Sequence, residues 1–126
     1  MTFEEAEIAL EEIASALPRE IFDGLNGGYV LLPDLIVDKH GLLILGSYHV
    51  EPYGLGRYVT VHYGSLMEAY SYYSPRKFRD ELKHVLHHEL IHHLESLAGD
   101  KSLEIQDEID RAQYLQNNLY RDDDLL

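Results

Sequence analysis

The stretch that opens with Ser74-Pro75 and stops at Gly99 constrains this chain most, because its pattern fits one structure, a long helix buried along one side. Serine before proline is an N-cap followed by the residue best tolerated in the first helical position. Phe78, Leu82, Val85, Leu86, Leu90, Leu94 and Leu97 then recur at steps of three and four, and a glycine at 99 supplies the stop. In the middle stands His88-Glu89-Leu90-Ile91-His92. Four residues make about one helical turn, so the two imidazoles project from one face, near enough to share a metal ion, with Glu89 beside them. The chain has 8 His and 13 Glu in 126 residues. Random placement at that composition yields about 0.05 such patterns, and a half-buried helix is where packing would fix both rings.

This spacing carries a chemistry. His88 and His92 are the candidate metal ligands, and as neutral imidazoles they suit zinc. With no cysteine in the chain, thiolate zinc sites and disulfides are both excluded, so any further ligand is His, Asp or Glu. Glu89 is the candidate general base, placed to take a proton from water as the water attacks and to pass it to a leaving amine. A catalytic zinc typically takes three protein ligands and keeps one position open. Glu95 ranks first as the third, three residues beyond His92 and on the same face. Asp107 ranks second, with Asp100 and Glu104 as alternatives. His84, one turn before His88, lines the same face, whereas His87 and His93 turn about 100° away and read as exposed or packed. Tyr63 is a candidate oxyanion stabiliser.

The rest of the chain reads as helix, small sheet, helix, helix, an α+β layer architecture in one domain spanning residues 1–126. Thr2 with Glu5 forms a capping box, and Phe3, Ala6, Leu10, Ile13 and Leu17 line one face until Pro18 ends the helix. Residues 29–32 and 42–45 read as short buried strands, and residues 46–56, with their glycines and Pro52, as a loop. Residues 57–63 alternate, with Tyr58, Thr60 and His62 on one side and Val59, Val61 and Tyr63 on the other. Ser65 with Glu68 opens a short helix, and a last helix is expected over residues 102–120 with Ile105, Ile109, Ala112 and Leu119 as its stripe.

A formal net charge of −13 repels phosphate backbones and anionic bilayers, so neither nucleic acid nor membrane is an expected partner. No apolar run reaches the length of a membrane span, and the first residues lack the basic start and apolar stretch of a secretory signal, so a cytoplasmic location is expected.

Taken together, the acidic first helix, the strand Arg57-Tyr58-Val59-Thr60-Val61-His62-Tyr63-Gly64 and the helix bearing His88-Glu89-Leu90-Ile91-His92-His93 resemble the small bacterial zincin-like metallopeptidases, which have a minimal zincin fold. The resemblance covers most of the chain, but only the last segment is specific. It implies that His88 and His92 hold zinc and that Glu89 acts as the base. That family often continues with a glycine seven residues after the first histidine and an acidic ligand three residues later. Here those positions are Glu95 and Ala98, while a glycine-acid pair follows later as Gly99-Asp100, so the resemblance leaves the third ligand open. The expectation is a zinc-dependent peptidase that cleaves short or flexible peptides, with the strand at 58–63 running along the cleft. The alternative is a metal-binding or protein-interaction module with the same site and little or no turnover.

Overall fold

The computed structural model describes residues 1–99. Among them are three α-helices and a three-stranded mixed sheet, the α+β arrangement expected from the sequence. Helix α1, Phe3–Ser15, starts at the capping box: the Thr2 amide donates to Glu5 Oε1 at 2.7 Å, and the Glu5 amide donates to Thr2 Oγ1 at 3.1 Å. It buries Ala6, Ala9, Leu10, Ile13 and Ala14, and a 3-10 turn at Arg19–Phe22 follows Pro18.

Strands β1 (Gly28–Leu32), β2 (Gly46–Glu51) and β3 (Gly56–His62) lie in the order β1-β3-β2, with β1 parallel and β2 antiparallel to β3. Two expectations change here. Residues 46–51 form a strand and not a loop, while residues 42–45 contribute an isolated bridge between Val37 and Leu43. The glycines that read as breakers are tolerated because Gly46 opens the strand and Gly54 and Gly56 sit at the turn that joins it to β3, leaving Tyr48-His49-Val50 to alternate normally. As the middle strand, β3 has both edges occupied, so the edge strand beside the motif helix is β2.

Helix α2, Tyr63–Tyr70, begins two residues before the expected cap. Ser65 is fully buried inside it, where its hydroxyl accepts from the Ile36 amide at 2.9 Å and donates to the Ile36 carbonyl at 3.2 Å, fastening the long β1–β2 connection to the helix. Helix α3, Pro75–Ala98, carries the motif. Ser74 Oγ accepts from the Lys77 amide at 3.2 Å, and Gly99 closes the helix in the left-handed region at φ 60°. Its buried stripe departs from the expected one in the last two turns. Glu89, His92 and His93 face inward, while Leu94 and Leu97 stay partly exposed. At 100° per residue, Glu89 and His93 fall within about 20° of the line through Leu82, at the centre of the stripe, whereas Leu94 is turned about 120° from it.

The core lies between the sheet and the helices α1 and α3, where Leu31, Val59 and Val61 meet Leu10, Ile13, Phe78, Leu82, Leu86 and Leu90. No helix among the described residues is long and apolar enough to cross a membrane. The helix expected over residues 102–120 lies outside the described residues.

Candidate metal centre

The candidate ligands are placed by the packing around them. Val85, Leu86 and Leu90 are buried on α3, which fixes the rotation of the helix and sets His88, half-buried, and His92, buried, on one shared face at the border of the stripe. Their rings meet edge to face, with centroids 4.7 Å apart, and His88 Nε2 lies 3.1 Å from His92 Nε2. Two imidazole nitrogens so close either share a proton or face a common cation. With zinc–nitrogen bonds of about 2.0–2.1 Å, this separation corresponds to an angle of about 100° at the ion, near the tetrahedral value. The donor set therefore fits half of a zinc site.

Glu89 is completely buried, and the reason is Gly46. A Cβ at residue 46 would stand 2.5 Å from Val85 Cγ1 and 3.3 Å from Glu89 Cγ, so the backbone of β2 rests directly on the helix beside that carboxylate. Only glycine permits the approach. Sequence reasoning missed Gly46, because nothing local marks a close approach between segments forty residues apart.

Glu95 meets the His92 ring at its other edge. Glu95 Oε1 lies 3.3 Å from His92 Nδ1, the other nitrogen of that ring. A carboxylate at Nδ1 favours the tautomer protonated there and leaves the Nε2 lone pair for a cation, which is how carboxylates behind ligand histidines commonly act. The i, i+3 spacing brings the carboxylate to the His92 ring but does not say which edge of the imidazole it meets. Among the described residues, no group of three or more His, Asp or Glu is arranged to hold a metal ion. Asp100, Glu104 and Asp107 lie outside the described residues.

The neighbouring histidines have other tasks. His93 is fully buried, with Nε2 donating to the Asp23 carbonyl at 2.8 Å and Nδ1 accepting from the Tyr48 hydroxyl at 2.8 Å. Arg57 donates to the same hydroxyl at 2.9 Å and also to Ser96 Oγ. Because the Asp23 carbonyl can only accept, every proton in this chain of bonds has one position. His93 therefore packs, and it ties β2, β3 and the turn after the 3-10 segment to α3. His87 is partly buried against Leu90, Ile91 and Leu94, and burial, reinforced by Lys83, holds its pKa below the ordinary histidine range. His84 is exposed. Tyr63 is not near the site: its hydroxyl donates to the Met1 carbonyl and its ring packs on Phe3 and Phe78, at the opposite end of α3. Burial, then Glu4 and Glu5, pushes its pKa up.

The sheet face away from α3 carries a second polar chain that the sequence pattern does not reveal. Asp34 Oδ1 accepts from His62 Nδ1 at 2.7 Å, His62 Nε2 lies 3.3 Å from Thr60 Oγ1, and His49 Nε2 lies 2.9 Å from the same hydroxyl. His49 also stacks on Tyr58, with ring centroids 4.5 Å apart.

Beyond the side chains, β2 offers backbone. The His62 amide donates to the Leu45 carbonyl, which places the alternate residues Gly46, Tyr48 and Val50 with their N–H and C=O groups pointing away from β3. No described strand pairs with that edge.

No protein-family model and no curated protein matches the chain. Among solved structures, a conserved hypothetical protein from Thermus thermophilus is similar, with a TM-score of 0.66 and 29% sequence identity over 78% of this chain and 98% of its own.

Proposed function

We propose that this protein is a zinc-dependent hydrolase acting on peptide bonds, of the kind found in small zincin-like metallopeptidases. The observation that carries the reading is the 3.1 Å convergence of His88 Nε2 and His92 Nε2 across a helical turn that also bears Glu89. The ion, when bound, supplies Lewis acidity and makes water acidic enough to attack near neutral pH. His88 and His92 hold it through Nε2, and Glu95 keeps the His92 ring oriented from Nδ1. Glu89 accepts the proton that water loses on attacking the scissile carbonyl and delivers it to the departing amine, so proton and leaving group balance. The outer edge of β2 fits an extended substrate, which would pair with Gly46, Tyr48 and Val50 through main-chain hydrogen bonds. So small a domain has little material for deep side-chain pockets, which favours short or flexible peptides. A third ligand would have to be acidic; Glu95, which meets His92 at Nδ1, Asp107, Asp100 and Glu104 are the candidates that the sequence offers.

A second reading is favoured by one feature: Glu89 is completely buried, and a base must meet water. On that reading the chain is a metal-binding or protein-interaction module with little turnover. Glu89→Gln separates the two. If the base assignment holds, the variant keeps its zinc and loses about 10²–10⁴ in hydrolysis of a mixed peptide library. Zinc binding with no metal-dependent cleavage by the unaltered protein would select the module.

A further inference from the structure

On the side of the sheet remote from α3's histidines, the far edge of β1 has no partner strand among the described residues, where β1 pairs with β3. Its sequence Gly-Tyr-Val-Leu-Leu contains neither the lysine nor the proline with which exposed edges are usually blunted. Val30 is 43% exposed there. Beside this edge runs a groove of about 400 Å³ between α1 and β1, lined by Glu7, Ile8, Glu11, Tyr29, Val30 and Leu31. Ile8 is 60% exposed, an apolar patch set among acids.

The charge of the groove is uncompensated. Glu4, Glu7 and Glu11 follow one another at helical spacing on α1, and like charges at these steps weaken a helix. Among the described residues none of the three has a cationic partner, whereas Glu12, on the neighbouring face, is paired with Arg79 at 2.7 Å. Burial, then the charge of Glu11, pushes the pKa of the Tyr29 hydroxyl up, and both residues line the groove. A strand edge supplies main-chain hydrogen bonds, Ile8 and Val30 supply apolar contact, and the glutamates supply a negative wall.

We propose that this groove binds an extended, lysine- or arginine-bearing segment of another protein, which adds to β1 as a fourth strand. In a strand, alternate side chains share one face, so cations at every second position would face α1 while the intervening residues lie on the opposite sheet face. A second copy of this chain is a poor occupant, because a net charge of −13 sets each copy against the same acidic wall. The proposal is independent of the metal centre.

The test uses the full chain, labelled with ¹⁵N, and two synthetic peptides, Lys-Val-Lys-Val-Lys-Val-Lys and its counterpart with glutamate for lysine. The lysine peptide is expected to shift the amide resonances of β1 and of the exposed face of α1, with a dissociation constant that rises at least tenfold in Glu7→Gln/Glu11→Gln and rises steeply with salt. Both substitutions are on exposed positions, and circular dichroism checks that the variant is folded. Binding of the glutamate peptide with equal strength, shifts confined to β2, or affinity indifferent to the double substitution would each overturn the proposal.

Discussion

His92 and His93 are neighbours in the chain and meet opposite circumstances. His93 turns inward and has both ring nitrogens bonded to fixed groups, the Tyr48 hydroxyl and the Asp23 carbonyl. His92, about 100° away around the helix, presents Nε2 to another Nε2, and only a proton or a cation between them makes that contact favourable. His62 belongs with His93, since Asp34 and Thr60 take its two nitrogens. The difference separates histidines whose two ring nitrogens meet fixed groups of the fold from a pair whose nitrogens face each other, and ring-nitrogen partners make it visible where burial does not. Both residues are buried, His93 at 0% and His92 at 8% exposed.

If the comparison is right, substitutions on its two sides should fail in different measurements. The largest effect is expected for zinc affinity in His88→Ala and His92→Ala. Structural zinc sites bind with about 10–16 kcal/mol spread over four ligands, and on that scale each substitution should cost about 10²–10³-fold by calorimetric titration. The metal-free melting temperature should change little in His88→Ala and fall modestly in His92→Ala, whose ring is buried. Unaltered zinc affinity in both variants would erase the distinction.

His93→Ala should do the reverse. It removes a buried ring and strands the Tyr48 hydroxyl and the Asp23 carbonyl, so a loss of about 3 kcal/mol in denaturant unfolding is expected. An unfolding free energy equal to that of the parent would mean that His93 is not the tie it is described to be.

Glu95→Gln sharpens the comparison from behind the ring. A group that orients a ligand histidine usually contributes about 10–100-fold in metal affinity, and the amide should forfeit much of that while the protein remains folded. A loss as large as that of His92→Ala would return Glu95 to the ligand set.

The smallest effect concerns His87. Its pKa is held down by burial and by Lys83, so the unfolded chain takes up a proton first as pH falls below the ordinary value of about 6.5. Stability is therefore complete above that value, declines as pH drops, and levels once the lowered folded value is passed. His87→Leu should flatten that part of the stability profile below about pH 6.5. An identical profile in variant and parent would show that His87 contributes nothing to it.

What can be read in advance is local. The caps at Thr2, Ser74 and Gly99 act within one turn, and the histidine spacing is a property of a single helix, so α1, α3 and the pairing of His88 with His92 are legible from neighbouring letters. The strand β2 is not, because Gly46 signals a break locally and earns its place only through Val85 and Glu89, some forty residues on. Likewise, nothing near His93 announces that Tyr48 and Asp23 will meet it. Leu94 and Leu97 read as core because apolar periodicity cannot tell where the sheet stops covering the helix.

The two histidine sets also belong to different moments in folding. Asp23 and His93 are 70 residues apart, and that bond can close only when the chain is nearly assembled. His88 and His92 need only one turn of helix. If the pair takes a divalent ion as proposed, the ion can engage it in a chain that has not yet built its sheet, and whatever affinity the unfolded ensemble has is subtracted from the stabilisation the ion gives the native state. Raising the melting temperature with zinc should accordingly yield less than the native affinity alone would suggest, and the shortfall measures how much of the site the helix carries unaided.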